Sequence, residues 1–405
     1  MISVEEARER IVAALAALPA ETIGVADGLG RVLAEDLHAR VTQPPAAVSA
    51  MDGYAVRAAD IATVPVTLTR VGEAPAGGAY SGKVAPGQCV RIFTGGPLPD
   101  GTDTIVIQEN VTAEGDRITV QESAPRGRYV RPAGLDFKAG EAGLSAGRVL
   151  TVRDIGLAAA MNRPWLRVAR KPRVAIVSTG NEVVMPGDPI GPNQIVSSNG
   201  LAIAAFVTAW GGEPIQLGTV PDSAEALQHL AQGARGADLL VTSGGVSVGD
   251  HDLVRSALGA KGLTVDFWQI AMRPGKPLMF GHIGETPVLG LPGNPVSSLV
   301  CSIVFLRPAL AAMLGIREPL KDQRSSAVLG SDLEANDRRA DFLRATLTID
   351  SEGRAVATPF ERQDSSMLRT LAKADCLVLR APNAPPARAG DRVEIIPLQG
   401  SLASL

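Results

Sequence analysis

Residues 237–252, "ADLLVTSGGVSVGDHD", decide the fold class. Their first six residues form a short, mostly apolar run that predicts a buried strand. The remaining ten hold three glycines, two serines and two aspartates, where a simple turn needs about four residues. A loop of this kind between a strand and a helix is typical of the carboxyl edge of a parallel sheet, where ligands bind. The stretch therefore predicts an α/β domain with a ligand site at this loop.

The sequence around this loop alternates between strand and helix patterns. "RVAIVST" at 173–179 and "PIQLGTV" at 214–220 are typical of strands, and "SNGLAIAAFVTAWGG" at 198–212 is typical of a helix ended by glycines. "VLGLPG" at 288–293 predicts a further strand that leads into a helix. Such alternation predicts βαβ units and hence a doubly wound, mostly parallel sheet covered on both faces.

The rest of the chain predicts smaller domains around this sheet. A stretch dense in Gly, Pro, Val and Thr holds short strand-like runs and interrupts a helical segment, while short strands return near the end of the chain. The predicted fold class is α/β plus β and multi-domain, with a helical N-terminal domain, a β-rich insert and a small C-terminal β domain. The predicted boundaries are 1–42 and 134–169 for the helical or linker domain, 43–133 for the insert, 170–318 for the α/β domain and 319–405 for the C-terminal domain.

Two amphipathic segments are expected to form the helical domain together. "MISVEEARERIVAALAAL" opens with a Ser3/Glu6 capping-box pattern, and "LTVRDIGLAAAMNR" at 150–163 returns to helical periodicity. We expect these two helices to pack against each other. The opening segment lacks the basic start and apolar run of a signal peptide.

Composition excludes several classes of partner. The 405-residue chain has a net charge of -3 and only 3% aromatic residues, so it offers neither the basic field nor the stacking platforms that nucleic acids need. The apolar stretch at 296–314 is interrupted by Arg307 and Pro308 before the roughly 20 apolar residues of a membrane span, which predicts a buried helix and no membrane. Three dispersed cysteines without a CxxC pair indicate a reducing compartment, and we expect a cytoplasmic protein.

The acidic, glycine-rich loop predicts a phosphate site with a cation. Glycines let backbone N–H groups approach an anion, and the N-terminus of the following helix favours negative charge. The candidate phosphate-binding residues are Ser243, Gly244, Gly245, Ser247 and Gly249. Carboxylates at three strand ends of the same edge would repel a phosphate unless a hard divalent ion, most simply Mg²⁺, stood between them. The candidate metal ligands are Glu182, Asp222 and Asp252.

Two further loops carry groups that suit an oxyanion. "MRPGKP" places Arg273 and Lys276 around a Pro-Gly turn, so a bidentate fork and a point charge are available. "LPGNPVSS" follows a strand and places Ser297 at a helix start. P-loop, α/β-hydrolase and dinucleotide-binding patterns are absent from the sequence.

Six motifs in order carry a family resemblance: "SAMDGYAV", "RIFTGGPLPDGTDTIV", "STGNE", "SGGVSVGDHD", "MRPGKP" and "LPGNPVS". Together they resemble the molybdopterin molybdenumtransferase family, which includes the E domain of gephyrin, and the resemblance covers essentially the whole chain. It implies a Mg²⁺-dependent insertion of molybdenum from molybdate into adenylylated molybdopterin with release of AMP. It also implies an elongated homodimer of four-domain subunits, with a molybdopterin adenylyltransferase as the upstream partner.

The resemblance implies roles for individual residues. The residues expected to reach the nucleotide or pterin from the β insert are Asp52, Thr94 and Asp136. The acidic positions around the phosphates and the metal match Glu182, Asp222 and Asp252. The residues expected to line the molybdate pocket are Arg273, Pro274 and Ser297, with Arg344 and Ser365 added by the C-terminal domain. A tetrahedral dianion suits this set of arginines and hydroxyls.

The sequence departs from the family pattern at three positions, and two other functions remain as alternatives. Arg273 stands where many members have lysine, Gln269 where some have lysine, and the "VSSN" stretch around Ser198 has a serine where an aspartate is frequent. The α/β domain alone also resembles a molybdopterin adenylyltransferase, although the insert and tail domains weigh against that activity. A non-catalytic pterin carrier or scaffold is the other alternative, and the intact acidic residues favour an enzyme.

Overall fold

The computed structural model describes residues 1–220, 234–244, 263–317 and 324–398. The chain divides into two compact units. Unit 1 comprises Met1–Glu35, Ala146–Arg153 and Leu166–Leu405. Unit 2 comprises Asp36–Ser145 and Asp154–Trp165. Asp222, Gly245, Ser247, Gly249 and Asp252 lie outside the described residues. The four-domain division of the sequence stays a prediction.

A six-stranded sheet forms most of unit 2. Its strands are β1 (Gly53–Val56), β2 (Val66–Ala74), β3 (Gln88–Ile92), β4 (Thr104–Ile107), β5 (Val111–Glu114) and β6 (Arg117–Val120). They pair in the order β4-β1-β3-β2-β6-β5, with only β2 and β3 parallel. Alternating apolar residues bury two clusters, one around Val56 and Ile118 and the other around Val90 and Ile105.

The α/β sheet of unit 1 is mostly parallel, as predicted. Its strands are β7 (Arg173–Thr179), β8 (Glu213–Val220), β9 (Leu239–Ser243), β10 (Leu263–Trp268), β12 (Met279–Ile283) and β13 (Thr286–Leu291), with β11 (Met272–Arg273) belonging to another sheet. They pair in the order β8-β7-β9-β13-β12-β10. The first four are parallel, whereas β12 and β10 add an antiparallel edge.

Both faces of this sheet are buried, which explains its continuous apolar runs. Val174 and Ile176 of β7 enter one core cluster, while Ala175 and Val177 enter the cluster on the opposite face. A strand that is half-buried would alternate apolar and polar residues, but one covered on both faces does not. The predicted doubly wound sheet is therefore confirmed.

The helices flank these sheets or cap their ends. They are α1 (Val4–Ala13), α2 (Val152–Ala160), α3 (Asn199–Ala209), α4 (Pro295–Met313) and α5 (Leu368–Ala372). Single 3₁₀ turns occur at Val25–Asp27, Ala58–Ile61 and Gln108–Asn110. Short paired strands lie at Ala20–Gly24 with Trp165–Ala169, Leu37–His38 with Ala142–Leu144, Val48–Ser49 with Val130–Arg131, and Val183–Val184 with Ile195–Val196.

Helix α1 begins as its sequence predicts and packs within unit 1. The Ser3 hydroxyl accepts a hydrogen bond of 3.0 Å from the Glu6 N–H, which caps the helix. Val4, Ala7 and Ile11 line one face and are buried against α4 within unit 1. Within unit 1 the apolar face of α1 thus packs against α4, and the expectation that α1 packs against α2 stays a prediction.

Helix α4 is a core helix that continues through the residues expected to interrupt it. A π-helical turn over Ser302–Leu306 precedes Arg307 and Pro308, and the α-helix then resumes to Met313. Arg307 is only 4% exposed, and its guanidinium lies 5.2 Å from the centre of the Trp210 ring. In the most apolar 18-residue segment of α4, 78% is buried inside the protein, which confirms the prediction of a buried helix.

The C-terminal sheet of unit 1 joins β11 to five strands after residue 324. They are β14 (Ser325–Leu329), β15 (Ala340–Ile349), β16 (Ala355–Pro359), β17 (Cys376–Arg380) and β18 (Arg392–Pro397). The order is β11-β15-β16-β14-β18-β17, and pairing of β15 with β17 closes the last five strands into a ring. Their inward residues, such as Leu329 and Ile395, form a separate small core.

Candidate active site

A cleft of about 690 Å³ opens at the carboxyl ends of β7, β9 and β13 in unit 1. Residues that follow each of these strands line it, together with the start of α3 and part of the C-terminal domain. The lining includes Thr179 and Glu182 at the end of β7, Ser243 and Gly244 at the end of β9, Pro292, Gly293, Asn294, Pro295 and Ser297 after β13, Ser198 and Asn199 at the α3 start, and Ser366 and Leu368. The cleft therefore lies at the sheet edge that the sequence predicts.

The "STGNE" loop places a carboxylate in this cleft. Gly180 adopts φ +147°. This φ favours glycine, and a Cβ there would lie 2.8 Å from Glu182 Oε2, so a larger residue would also displace the carboxylate. Thr179, the last residue of β7, is 5% exposed, and its Oγ1 has no hydrogen-bond partner among the described residues. The loop thus offers one carboxylate and one unsatisfied hydroxyl oxygen.

The first half of the glycine-rich loop is held close to the same position. Gly244 adopts φ +94°, and a Cβ there would lie 2.6 Å from the Thr179 carbonyl oxygen, which explains its glycine. Ser243 is buried, and its Oγ accepts a hydrogen bond of 2.8 Å from Asn199 Nδ2. The same Asn199 amide donates to the Gly293 carbonyl at 2.8 Å. One side chain thereby links the loops after β9 and β13.

The N-terminus of α4 and the C-terminal domain meet at the cleft. Asn294 precedes the helix, with Pro295 in its first turn, and Ser297 is 4% exposed. Ser365 accepts two hydrogen bonds from this segment, at 3.0 Å from Asn294 Nδ2 to its Oγ and at 3.1 Å from the Val296 N–H to its carbonyl oxygen. The positive end of the helix dipole makes this wall suitable for an anion.

Arg344 on β15 is buried next to the Ser365 loop. It is 1% exposed. Its Nε donates to Gln363 Oε1 at 3.1 Å and its Nη1 to the Asp364 carbonyl at 2.9 Å. Nη2 has no hydrogen-bond partner among the described residues. Burial lowers the pKa of this guanidinium from its usual value. The predicted Ser365 and Arg344 thus lie close to the start of α4, where Ser297 lines the cleft, and the unsatisfied Arg344 Nη2 is itself buried.

The "MRPGKP" loop contributes one residue to the lining of the cleft. Arg273, Pro274 and Lys276 are not among the described residues that line the cleft, whereas Pro277 of the same loop is. Arg273 Nε donates to Asp341 Oδ1 at 2.7 Å, and Nη2 contacts Asp341 Oδ2. This hydrogen bonding raises the pKa of Arg273. Arg344 and Ser365 are likewise not among the described residues that line the cleft, so the assignment of Arg273, Pro274, Arg344 and Ser365 to the oxyanion pocket stays a prediction.

Unit 2 carries the predicted Asp52 and Thr94 as a hydrogen-bonded pair. Asp52 Oδ1 accepts from the Thr94 N–H at 2.7 Å and from Thr94 Oγ1 at 2.9 Å. These bonds, and the nearby charge of Arg91, lower the pKa of the Asp52 carboxyl. The following residue must be Gly53, because a Cβ there would lie 2.1 Å from the Val106 carbonyl oxygen of β4. The "AMDGYA" and "RIFTGG" motifs thus build one local structure.

Asp136 lines a separate cavity of about 740 Å³ within unit 2. Gly95, which follows Thr94, and Arg131 line the same cavity. An arginine, a carboxylate and several glycine and proline backbones make it suitable for a polar ligand. The structure therefore brings Asp136 close to the chain segment that contains Thr94.

The oxygen atoms of the described cleft residues are of the type that binds a hard cation. Among the described residues there is no group of three or more His, Cys, Asp or Glu side chains that could hold a metal ion. Glu182 nevertheless places a carboxylate beside the unsatisfied Thr179 hydroxyl and Ser243. Mg²⁺ prefers oxygen donors and often binds through one or two carboxylates together with substrate phosphates. The residues present therefore suit Mg²⁺ bound with a phosphate.

Sequence reasoning missed Thr179, Asn199 and Asp341. Thr179 and Asn199 had a usable signal, since each lies where a strand ends or a helix begins at the predicted edge of the sheet. Asp341 had none, because it meets Arg273 only through pairing of distant segments.

Comparison with known proteins agrees with this architecture. The family profile for the MoeA N-terminal region (domain I and II) matches residues 2–162, the one for a probable molybdopterin binding domain matches 175–312, and the one for the MoeA C-terminal region (domain IV) matches 326–398. A molybdopterin molybdenumtransferase from Haemophilus influenzae is 32% identical over 98% of both chains. Molybdopterin molybdenumtransferase 2 from Mycobacterium tuberculosis is 35% identical over 98% of this chain and 99% of that protein.

A crystal structure shows the same fold. The molybdopterin biosynthesis MoeA protein from Pyrococcus horikoshii has a TM-score of 0.85 at 32% identity, covering 99% of this chain and 100% of that one. The fold and these relatives thus define a multi-domain α/β enzyme, with a cleft at the carboxyl edge of its sheet. The chain belongs to the molybdopterin molybdenumtransferase family, and it is a transferase.

Proposed function

We propose that this enzyme transfers molybdenum from molybdate to adenylylated molybdopterin in molybdenum cofactor biosynthesis, with Mg²⁺ as cofactor and AMP as the second product. One observation carries this proposal. The unsatisfied Arg344 guanidinium nitrogen and Ser365 lie next to a cleft that also presents Glu182, Ser243 and Gly244. A site of this kind accommodates a phosphorylated substrate together with a small oxyanion.

The phosphates would be bound by the loop after β9. Ser243 and Gly244 form its described part, and Gly245, Ser247 and Gly249 continue it in the sequence. Glu182 would hold Mg²⁺ from the loop after β7, with Asp222 and Asp252 as further ligands. The cation would neutralise phosphate charge that the carboxylates alone would repel.

Molybdate would be bound by Arg273, Pro274, Ser297, Arg344 and Ser365, with Lys276 as an additional charge. Two pterin thiols, one molybdate and one phosphoanhydride would yield a dithiolate-bound dioxomolybdenum, AMP, the pterin phosphate and one water. The anhydride P–O bond breaks as one molybdate oxygen joins a phosphoryl group, and the two thiol protons leave with another oxygen as water. The metal keeps its oxidation state, so no electron donor is needed.

The protein's contribution in this scheme is position and charge. Arg344 is fixed by Gln363 and the Asp364 carbonyl, so its remaining donor is already oriented before the anion arrives. The cleft holds the oxyanion close to the phosphate loop, and such proximity accounts for most of the rate enhancement when the protein does no covalent chemistry. The pterin therefore needs to contact both walls of the cleft at once.

The remaining parts of the proposal concern unit 2 and the assembly. We assign Asp52, Thr94 and Asp136 to binding of the nucleotide or the pterin, and we expect a homodimer of four-domain subunits. A molybdopterin adenylyltransferase would supply the substrate. The three cysteines are buried and unpaired, which favours the cytoplasm as the compartment. Light scattering in solution tests the dimer.

The test of the reaction is AMP release from adenylylated molybdopterin by the purified protein, measured by chromatography. We expect release that needs both molybdate and Mg²⁺ and that stops in chelator. Release of AMP without molybdate would indicate hydrolysis, and pyrophosphate-dependent formation of ATP would indicate an adenylyltransferase. Tight pterin binding without any release would indicate a carrier.

Variants test the assigned residues in the same assay. Arg344→Lys keeps the charge but loses the fixed fork, so the KM for molybdate should rise by tenfold or more. Glu182→Gln should raise the Mg²⁺ concentration needed for half-maximal release. Unchanged dependence on Mg²⁺ in Glu182→Gln would contradict its assignment as a metal ligand.

A further inference from the structure

Arg91, the first residue of the "RIFTGG" motif, is held in one orientation within unit 2. It lies on β3, and its Nη1 donates to the Gly53 carbonyl at 3.0 Å while its Nη2 donates to Gln108 Oε1 at 2.7 Å. Its guanidinium carbon lies 5.2 Å from the centre of the Tyr54 ring and 4.8 Å from that of the Phe93 ring. Two hydrogen bonds and two ring contacts leave the planar guanidinium little freedom to turn.

The groups that Arg91 contacts all adjoin Asp52 or its partner. One is the backbone carbonyl of the residue that follows Asp52, and another is the side chain of Gln108, whose N–H donates to the Asp52 carbonyl oxygen at 3.2 Å. The Phe93 ring belongs to the residue before Thr94, which donates both its N–H and its hydroxyl to Asp52 Oδ1. Arg91 thus connects the chain segments that hold Asp52.

The charge of Arg91 also acts on the Asp52 carboxylate. Both oxygens that accept hydrogen bonds from Arg91 are uncharged, so they do not balance its charge. Hydrogen bonds from Thr94 are the main cause of the lowered pKa of the Asp52 carboxyl, and the charge of Arg91 adds to them. By contrast, Arg70 on the neighbouring strand β2 forms an ion pair with Asp116 at 2.9 Å, so its charge is balanced locally.

We infer that Arg91 is a positioning residue that acts through Asp52, holding its carboxylate in place and ionised. Both bonds from Thr94 end on Oδ1, so Oδ2 of this exposed side chain remains to accept a hydrogen bond from an N–H or O–H group of the nucleotide or pterin. The effect of Arg91 on turnover rests on the proposed function, but its effect on Asp52 does not.

Hydrogen exchange in the full-length protein tests the positioning without turnover. The Thr94 and Gln108 amides should exchange about tenfold faster in Arg91→Met than in the wild type. The increase should be smaller in Arg91→Lys, which keeps the charge but lacks the planar fork that spans both acceptors. Arg70→Met is the matched control on the same sheet, and both rates should stay at the wild-type level there. Wild-type rates in Arg91→Met would overturn the inference.

Titration of Asp52 tests whether Arg91 keeps the carboxylate ionised. Nuclear magnetic resonance of protein labelled with carbon-13 at the aspartate Cγ follows this group, and its signal is the one missing from Asp52→Asn. The pKa of Asp52 should be higher in Arg91→Met than in the wild type, and unchanged in Arg70→Met. An unchanged pKa of Asp52 in Arg91→Met would contradict the inference.

AMP-release kinetics distinguish action through Asp52 from direct contact with the ligand. Arg91→Met should lower kcat/KM by about tenfold to a hundredfold. The acid limb of the pH profile should move to higher pH, because Asp52 becomes protonated more easily without Arg91. In an Asp52→Asn background, adding Arg91→Met should cost less than about a further twofold, since both changes act on the same group. A loss as large in that background as in the wild type would show direct contact and refute the positioning role.

These measurements also separate the two proposals. If the wild-type protein released no AMP, the proposed function would fail, yet the exchange and titration results would still decide the role of Arg91. Circular dichroism and thermal melting identify a variant that has failed to fold. Should Arg91→Met be such a variant, Arg91→Lys takes its place, and wild-type exchange rates together with an unchanged pKa of Asp52 in Arg91→Lys would overturn the inference.

Discussion

Asn199 provides the clearest test of how the cleft is held together. Its Nδ2 donates to Ser243 Oγ and to the Gly293 carbonyl, at 2.8 Å in both cases. Asn199→Ala removes both bonds, and each contributes a net 0.5–1.5 kcal/mol by typical values, so the free energy of unfolding of unit 1 should fall by about 1–3 kcal/mol. Ser243 Oγ already donates to the Pro292 carbonyl, but at 3.5 Å that contact is too weak to compensate for the lost bond.

Urea unfolding followed by tryptophan fluorescence measures this effect, since Trp210 and Trp268 both belong to unit 1. Ser198→Ala is the matched control, because the Ser198 hydroxyl makes only a 3.4 Å contact with Asn199 Oδ1 and its loss should cost less than about 0.5 kcal/mol. Asn199→Asp should be at least as damaging as Asn199→Ala, since a carboxylate there would face the Gly293 carbonyl. A loss for Asn199→Ala no larger than that of the control would refute the reasoning.

Three further predictions follow from single features. Gly53→Ala should lower the free energy of unfolding by about 1–3 kcal/mol and disturb the Asp52–Thr94 pair, because the alanine Cβ would clash with the Val106 carbonyl of β4. Thermal melting measures the loss of stability, and the exchange rate of the Val106 amide measures the local disturbance. Burial raises the pKa of the Cys89 thiol to about 12, so Ellman's reagent at pH 8 should leave the native thiols unmodified and titrate three only in urea. Hydrogen bonds from Arg339 lower the pKa of Asp337 to about 2. The wild-type protein should therefore be more stable than Asp337→Asn above about pH 5, and this difference in the free energy of unfolding should disappear as the pH falls toward 2. Unfolding midpoints of both proteins across that pH range measure the difference.

Local patterns were sufficient to predict the elements that the structure confirms. The β-branched run at Arg173–Thr179 gives a strand buried on both faces, and Ser3 caps α1 through the Glu6 amide. The position of the cleft also follows from the sequence, because every loop that leaves a parallel strand at its carboxyl end reaches the same edge. The family resemblance assigned Asp52 and Thr94 to one site, but their hydrogen bond was not predicted, because no local spacing connects residues 42 apart.

Features that depend on distant partners were not predictable. The partner of α1 could not be deduced from its apolar stripe, because a stripe fits any complementary face. Arg307 interrupts an apolar pattern in the sequence, yet in the structure its charge lies over the Trp210 ring inside the core. The guanidinium of Arg273 is chemically suited to bind an anion, and only the pairing of β11 with β15 shows that it forms an ion pair with Asp341.

The molybdenum content of the pterin product tests the central claim most directly. Purified protein is incubated with adenylylated molybdopterin, molybdate and Mg²⁺, and the released pterin is separated and measured by inductively coupled plasma mass spectrometry alongside AMP. The account predicts one molybdenum atom in the pterin fraction for each AMP released, with Arg344→Lys lowering both together. AMP release with no molybdenum in the pterin fraction would contradict the account.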